Sequence, residues 1–137
     1  DRDLADSSLR ASLLTGDTIL GRGTIVIATP DGSLTDYFAT LDRLASLRDT
    51  TVLPGHGSPH HDLATVAAVY RVHRLERLGE IEAAVGRLIK AEPVVEVTVA
   101  AVTDLVYAHV PSDVRFAAEM SVAAQLEYLS GPERSRR

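Results

Sequence analysis

The sequence has 137 residues, 45% of them hydrophobic, and a formal net charge of −5. This length allows one domain, or a compact half-domain followed by a small helical module. The acidic balance argues against a dedicated nucleic-acid binder, because such proteins usually carry a basic face. Cysteine is absent from the sequence, which excludes disulfides and thiolate zinc sites. Any metal site therefore has to use histidine and carboxylates.

Targeting signals are also missing from the sequence. No apolar run reaches the ~20 residues that a transmembrane helix needs, and no signal peptide is recognisable. We therefore expect a cytoplasmic protein without a membrane partner. The richness in Ala, Val, Leu and Arg is typical of a high-GC bacterial source. The chain begins with Asp1 rather than Met, which fits a processed start, a chosen expression boundary or a fragment.

The first part of the chain has the pattern of a layered α/β arrangement. Leu9–Leu14 is a short apolar run that predicts a buried strand, and the β-branched run Gly23–Thr29 predicts a strand or extended segment. Ser33 then predicts a helix N-cap, with Asp36 in the capping-box position. Thr50–Pro54 predicts another strand. The predicted helix between Ser33 and Thr50 has one apolar face, formed by Leu34, Phe38, Leu41, Leu44 and Leu47.

The rest of the chain is predicted to be helical. Residues 62–92 form one long helix or two in series, with Gly79 as a weak point and Pro93 as the stop. Val94–Val97 favours extended structure, and Thr98 caps the next helix. Pro111 to Asp113 start a last helix, which ends at Gly131 and Pro132. Its predicted apolar face comprises Phe116, Met120, Ala123, Ala124, Leu126 and then Leu129.

A shift in composition near residues 62–70 predicts a domain boundary. We expect an α/β piece over residues 1–62 and a helical module over residues 63–137. The arginines that follow Gly131 form the only basic cluster, and such tails are often disordered.

Two turns could expose metal-ligating side chains at the ends of predicted strands. Asp17 lies in Thr-Gly-Asp-Thr and His56 lies in Pro-Gly-His-Gly. Strand ends at one edge of an α/β sheet are where ligands gather, and carboxylate and imidazole are both metal ligands. The alternatives are an ordinary turn aspartate and a polar loop histidine. The candidate site depends on whether the two side chains meet.

Other polar residues are weaker candidates. His60 and His61 extend a histidine-rich stretch, which we interpret as a surface loop rather than a metal cluster. His73 fits a half-buried helix residue hydrogen-bonded to a loop, with a catalytic role as the alternative, and Arg74 could anchor the helix to a carboxylate. Arg22 lies between two glycines in a loop that lacks the P-loop pattern, and it could contact an anionic substrate.

These motifs together resemble the metallo-β-lactamase-fold hydrolases, in particular their lactamase-β-2-like branch. The resemblance rests on "LLTGDTILGRGT", "PDGSLTDYFATLDRL", "TVLPGHG" and "YRVHRLER", and spans nearly the whole chain. The segment "VYAHV…AAEMSVAAQLEYL" resembles the C-terminal winged-helix-like module of that branch. The implied fold is α/β: the C-terminal half of an αββα sandwich, followed by the winged-helix-like helical module.

The resemblance also implies a metal centre and a reaction. It makes Asp17 the carboxylate that bridges two zinc ions, with manganese as an alternative, and His56 a ligand of the second ion. The implied activity is hydrolysis of a phosphodiester, such as RNA, or of an ester or thioester by a metal-bound hydroxide. Both residues would then be catalytic.

The sequence departs from the family pattern in its ligand count. The His-x-His-x-Asp-His motif is absent, and no histidine precedes His56. We therefore expect an N-terminally incomplete chain that needs its missing half or a second copy of itself as partner. The alternative function is a non-catalytic dimerisation module that keeps a remnant of the fold. RNA is a further candidate partner, suggested by ribonucleases of that branch and opposed by the acidic charge.

Overall fold

The computed structural model describes residues 11–91 and 96–131. The elements in chain order are β1 (Ala11–Gly16), α1 (Leu34–Ala45), β2 (Thr50–Pro54), α2 (Leu63–Ala91), α3 (Val99–Val106) and α4 (Arg115–Ser130). The predicted mixture of strands and helices is confirmed.

The described residues divide into two compact units. The first contains residues 11–25 and 41–70, and the second contains residues 26–40, 71–91 and 96–131. The units interleave along the chain, and the boundary at residue 62 stays a prediction. Over the described ranges, no helix has both the length and the apolar content that crossing a membrane requires.

The first unit is built on two parallel strands. Strand β1 pairs with β2 in a register that runs from Ala11 opposite Thr50 to Gly16 opposite Pro54, with an irregularity between Leu14 and Gly16. The predicted strand at Thr50–Pro54 is confirmed at both ends. The first predicted strand is confirmed from Ala11 onward and continues to Gly16, but the prediction that it is buried is wrong, because Leu14 is 82% exposed. Leu9 and Arg10 lie outside the described residues. Parallel pairing brings the carboxyl ends of both strands to the same edge.

Helix α1 begins as the sequence predicts. The Ser33 hydroxyl accepts a hydrogen bond from the Asp36 backbone N–H at 3.0 Å and donates one to the Asp36 carboxylate at 2.7 Å. This cap satisfies an N–H group that the first helical turn leaves without a partner. The helix buries Leu34, Phe38 and Leu41. Leu47, which we expected on the same face, lies beyond the end of α1 and is exposed.

Helix α2 is one continuous helix of 29 residues, so the alternative of two helices in series is wrong. Its N-terminus is capped by Asp62, whose carboxylate accepts a hydrogen bond from the Ala64 N–H at 3.1 Å. Gly79 does not interrupt the helix and is exposed to solvent. A glycine costs a helix only ~1 kcal/mol relative to alanine, which the rest of this long helix offsets.

In the second unit, α3 packs against α4. The predicted cap of α3 is confirmed, because the Thr98 side chain accepts a hydrogen bond from the Ala101 N–H at 3.2 Å. The Arg115 guanidinium contacts the carboxylates of Asp104 at 2.7 Å and Glu119 at 2.9 Å, and so links the two helices. The hydrogen bond with Asp104 raises the pKa of Arg115 above its ordinary value. A cluster of buried hydrophobic residues in this unit contains Ile81, Ala84, Val102 and Val122.

The predicted apolar face of α4 is confirmed in part: Ala124 is buried, and Leu126 and Leu129 are partly buried against the core. Phe116 is 71% exposed, whereas Ala118, Val122 and Gln125 are buried. The prediction is wrong at Phe116: positions 116 and 118 lie about 200° apart around a helix, so Phe116 lies nearly opposite to the buried Ala118. The reason is that contact with the core selects the buried face of α4, and the largest apolar side chain is not part of that contact.

For Gly23–Thr29, the strand alternative is wrong, and the alternative of an extended segment stays a prediction. All seven residues are described, and none of them lies in a strand. A β-branched run forms a strand only where a neighbouring strand accepts its hydrogen bonds, and the described sheet contains only β1 and β2. For the predicted extended run Val94–Val97, the structure describes Glu96 and Val97, which lie in no helix or strand; Pro93, Val94 and Val95 lie outside the described residues.

We predict that Gly79→Ala stabilises the protein by about 0.5–1 kcal/mol. A methyl group at this position meets no atom within 4 Å, so alanine gains helix propensity without a clash. Urea unfolding followed by circular dichroism measures the change. Gly86→Ala, at an equally open helical position, should give a similar gain, and a loss of stability in both variants would contradict this account of α2.

Candidate functional site

Asp17 and His56 meet at the carboxyl edge of the sheet, as the sequence predicts. Asp17 follows the last residue of β1, and His56 lies two residues beyond the end of β2. A hydrogen bond of 2.8 Å from the Gly55 N–H to the Gly16 carbonyl extends the strand pairing to this point. The His56 Nε2 atom lies 3.7 Å from the Asp17 Oδ1 atom, and the side chains are 80% and 63% exposed, respectively. We call these two residues the Asp17–His56 pair.

The loop that carries His56 packs backbone to backbone against the loop that follows Asp17. The Gly21 N–H donates a hydrogen bond of 2.8 Å to the His56 carbonyl. A Cβ atom at Gly21 would overlap the backbone of Gly57 and Ser58. Gly57 has φ of +89°, and a Cβ atom there would lie 2.8 Å from the Gly21 Cα atom. Both positions therefore require glycine, because the two loops approach too closely for a side chain.

The turn that carries Asp17 is held by its neighbours. The Thr15 hydroxyl donates a hydrogen bond of 2.9 Å to the Ile19 carbonyl, and the Thr18 N–H donates one of 3.0 Å to the Thr15 carbonyl. Ile19 is fully buried, and Thr15 is also buried. The backbone on both sides of Asp17 is thus fixed, while its carboxylate remains open to solvent.

Tyr70 and His60 bond to the backbone of the loop that follows Asp17, a role that the sequence did not predict. The Tyr70 hydroxyl lies within hydrogen-bond distance of the Leu20 N–H and carbonyl, both at 3.0 Å, and of the Gly23 carbonyl at 2.6 Å. The His60 Nε2 atom lies 2.9 Å from the Leu20 carbonyl. These contacts join residues 40–50 positions apart, so no local sequence pattern could have indicated them. The interpretation of His60 as a surface-loop residue is wrong, because it is half-buried; that of His61 holds, because it is exposed.

The other candidates lie on the loop after Gly21 and on helix α2. Arg22 is exposed on the loop after Gly21, and its role as a substrate contact stays a prediction. His73 lies on helix α2 and is half-buried. Its Nδ1 atom has no hydrogen-bond partner among the described residues, whereas the sequence predicted a bond with a loop. Arg74 is buried, and its guanidinium lies 5.3 Å from the centre of the Tyr37 ring.

The donor atoms of the Asp17–His56 pair fit two ligands of one metal ion. Oxygen and nitrogen ligands bind zinc at about 2.0–2.2 Å, so two of them can be at most about 4 Å apart around one ion. The observed 3.7 Å lies within that limit. However, zinc sites use three or four protein ligands, and the residues described here contain no group of three or more His, Asp or Glu that could hold a metal. The pair supplies part of a ligand set.

Comparison with curated proteins identifies two lactamase-like relatives. The chain is 35% identical over 118 residues to "Beta-lactamase-like protein 2 homolog" of Caenorhabditis elegans. The alignment covers 86% of this chain and 37% of that protein. It is 29% identical over 104 residues to "Lactamase-like protein vrtG" of Penicillium aethiopicum, in an alignment that covers 75% of this chain and 33% of that protein. The chain therefore spans about a third of the length of these relatives. No protein-family model matches the sequence.

Comparison with solved structures gives the same class. A metallo-beta-lactamase family protein of Thermus thermophilus aligns with a TM-score of 0.68 and 25% identity, over 88% of this chain and 36% of that one. A beta-lactamase domain protein of Burkholderia ambifaria has the same fold, with a TM-score of 0.70 and 24% identity, over 88% of this chain and 37% of that one.

The chain is thus similar in sequence to β-lactamase-like proteins and in fold to metallo-β-lactamase family proteins, which confirms the resemblance to that group. The comparisons support membership of the metallo-β-lactamase superfamily and do not favour the alternative of a non-catalytic interaction module. Because the relatives come from an animal and a fungus, the predicted bacterial source stays a prediction.

We predict that Gly21→Ala lowers the free energy of unfolding by about 1–3 kcal/mol, the usual cost of overpacking. The added methyl group would have to displace the backbone of Ser58. Urea unfolding of this variant is compared with that of Gly79→Ala, which carries the same substitution in open space. Unchanged stability of Gly21→Ala would show that the two loops are not in close contact.

Proposed function

We propose that this chain contributes Asp17 and His56 to the metal centre of a metal-dependent hydrolase of the metallo-β-lactamase superfamily. The observation that carries the proposal is the 3.7 Å separation of carboxylate and imidazole at the carboxyl edge of the sheet. The likeness of the chain to metallo-β-lactamase family proteins supports it. Exposed side chains on a fixed backbone are suited to binding a ligand from solvent.

The roles of the two residues follow their chemistry. The Asp17 carboxylate has two oxygen atoms and can bridge two cations, while His56 offers a neutral nitrogen to one of them. Zinc, or manganese in its place, supplies Lewis acidity and an activated water to a hydrolytic reaction when it is bound. The chain itself holds and orients these ligands through the pairing of β1 with β2 and the contact between the two loops.

The proposed substrate class rests on Arg22, which lies on the loop bonded to that of His56. Arg22 is exposed one residue after Gly21, whose backbone is bonded to the His56 carbonyl. A guanidinium at this position suits an anionic phosphodiester such as RNA, with an ester or thioester as the further candidate. The net charge of −5 works against tight binding of a long nucleic acid.

The remaining ligands have to come from outside the described residues. We propose that residues 1–62 correspond to the C-terminal half of the αββα sandwich and residues 63–137 to a winged-helix-like module. An N-terminal half, as a separate chain or as part of a longer one, would supply the His-x-His-x-Asp-His motif, and a second copy of this chain is the alternative partner. The proposal is supported by the number of candidate ligands: the described residues offer two, Asp17 and His56, whereas zinc sites use three or four protein ligands.

We predict that the chain binds Zn²⁺ weakly and that Asp17→Asn or His56→Gln reduces the affinity at least about tenfold. Loss of even an outer-shell partner of a metal ligand costs about 10–100-fold, so loss of a ligand should cost no less. Isothermal titration with ZnCl₂ measures the affinity. The control is His61→Gln, an exposed histidine of the same segment. Equal affinities in all four proteins would contradict the assignment of the pair.

We also predict that hydrolytic activity arises only when a polypeptide with the His-x-His-x-Asp-His motif is added. The expected result is zinc-dependent cleavage of a phosphodiester, ester or thioester substrate, lost in His56→Gln and retained in His61→Gln. If the complemented protein binds no metal and cleaves no substrate of these classes, the proposed function is wrong.

A further inference from the structure

We propose that Tyr70 and His60 are positioning residues of the Asp17–His56 pair. Their side chains hold the loop Leu20–Gly23 against the loop of His56, and this contact keeps the carboxylate and the imidazole at a separation that one cation can bridge. The inference rests on the proposed metal-binding function of the pair and adds to it the residues that set its geometry.

Tyr70 fixes the loop from the side of helix α2. Its hydroxyl accepts a hydrogen bond from the Leu20 N–H and has one proton to donate, for which the carbonyls of Leu20 and Gly23 compete. The Gly23 carbonyl is the nearer, at 2.6 Å against 3.0 Å. Tyr70 is itself buried, so a single hydroxyl group joins both ends of the loop to a fixed position on the helix.

His60 fixes the same loop from the side of the sheet. A carbonyl oxygen only accepts hydrogen bonds, so the His60 Nε2 atom must carry the proton it shares with Leu20. The backbone of His60 is bonded in both directions to Val52 of β2, at 2.8 and 3.2 Å, and Val52 is fully buried. The Leu20 carbonyl is therefore tied to the sheet as well as to α2.

The loop held in this way determines where both members of the pair lie. Gly21 follows Leu20 directly, donates its N–H to the His56 carbonyl, and contacts the backbone of Gly57 and Ser58. On the other side, Leu20 follows Ile19, which closes the turn that carries Asp17. A displacement of Leu20 would therefore move the two loops relative to each other.

This arrangement matters because the pair has little packing of its own. Side chains that are 80% and 63% exposed receive few contacts from neighbours. A ligand pair on mobile loops would lose binding energy in ordering those loops, whereas a pair on fixed loops binds at a smaller entropic cost. Tyr70 and His60 reduce that cost without contacting the metal.

Tyr70→Phe tests the proposal because it removes only the hydroxyl group. We expect the zinc affinity to fall about tenfold, at the lower end of the effect of outer-shell substitutions. Tyr107→Phe, which removes the hydroxyl of a tyrosine in the second unit, is the matched control and should leave the affinity unchanged. At His60, a glutamine can place an amide N–H near the Nε2 position, so His60→Gln should keep most of the affinity that His60→Leu loses.

A second readout measures the geometry without any metal. The sequence has no cysteine, so spin labels attached to D17C/H56C report only on these two positions. Electron paramagnetic resonance should show a narrow distribution of label separations, which Tyr70→Phe broadens and Tyr107→Phe does not. Val122→Ala, which weakens the core of the second unit, controls for a general loss of stability and should not broaden the distribution.

The outcomes separate this inference from the proposed function. If Tyr70→Phe changes neither the label distribution nor the zinc affinity, or if Val122→Ala changes the distribution equally, the positioning role is wrong. If Tyr70→Phe broadens the distribution but no protein binds zinc, the two residues do position the pair and the proposed metal-binding function fails. Broadening together with weaker zinc binding, and recovery in His60→Gln, supports both.

Discussion

The candidate site depends on one close contact between two backbone segments. Gly21 lies against Gly57 and Ser58 at a distance that leaves no room for a side chain, and the parallel pairing of β1 with β2 brings the segments to the same edge. Asp17 and His56 are mostly exposed, so contacts of their own side chains contribute little to their position. Their separation is therefore determined almost entirely by backbone geometry.

The three histidines of one short segment show how the surroundings decide the role of a residue type. His56 is exposed beside a carboxylate, which suits a ligand. His60, four residues later, is half-buried and bonded to the Leu20 carbonyl, so its ring stabilises a loop. His61 is exposed next to it. The difference arises because the backbone of His60 pairs with β2 and directs its ring toward the loop Leu20–Gly23.

Local patterns predicted the elements whose determinants are local. The caps at Ser33 and Thr98 and the strand Thr50–Pro54 are confirmed because a capping hydroxyl or a short apolar run acts on its own neighbours. The strand predicted at Gly23–Thr29 failed because a strand needs a partner that sequence alone does not supply.

At the site, the Thr-Gly-Asp and Gly-His-Gly turns identified the pair, since each follows a strand and exposes a polar side chain. The bonds of Tyr70 to Leu20 and Gly23 could not be predicted, because the residues are 47–50 positions apart. The face of α4 could not be predicted from apolar size either, as the exposed Phe116 shows.

The central claim is that Asp17 and His56 bind the same cation, and a double-mutant cycle of zinc affinity with Asp17→Asn and His56→Gln tests it most directly. If both side chains bind one ion, either substitution removes the chelating pair, and the double variant binds only slightly more weakly than each single one. If the two losses in binding free energy simply add, the side chains act independently, and the account of a shared metal centre is contradicted.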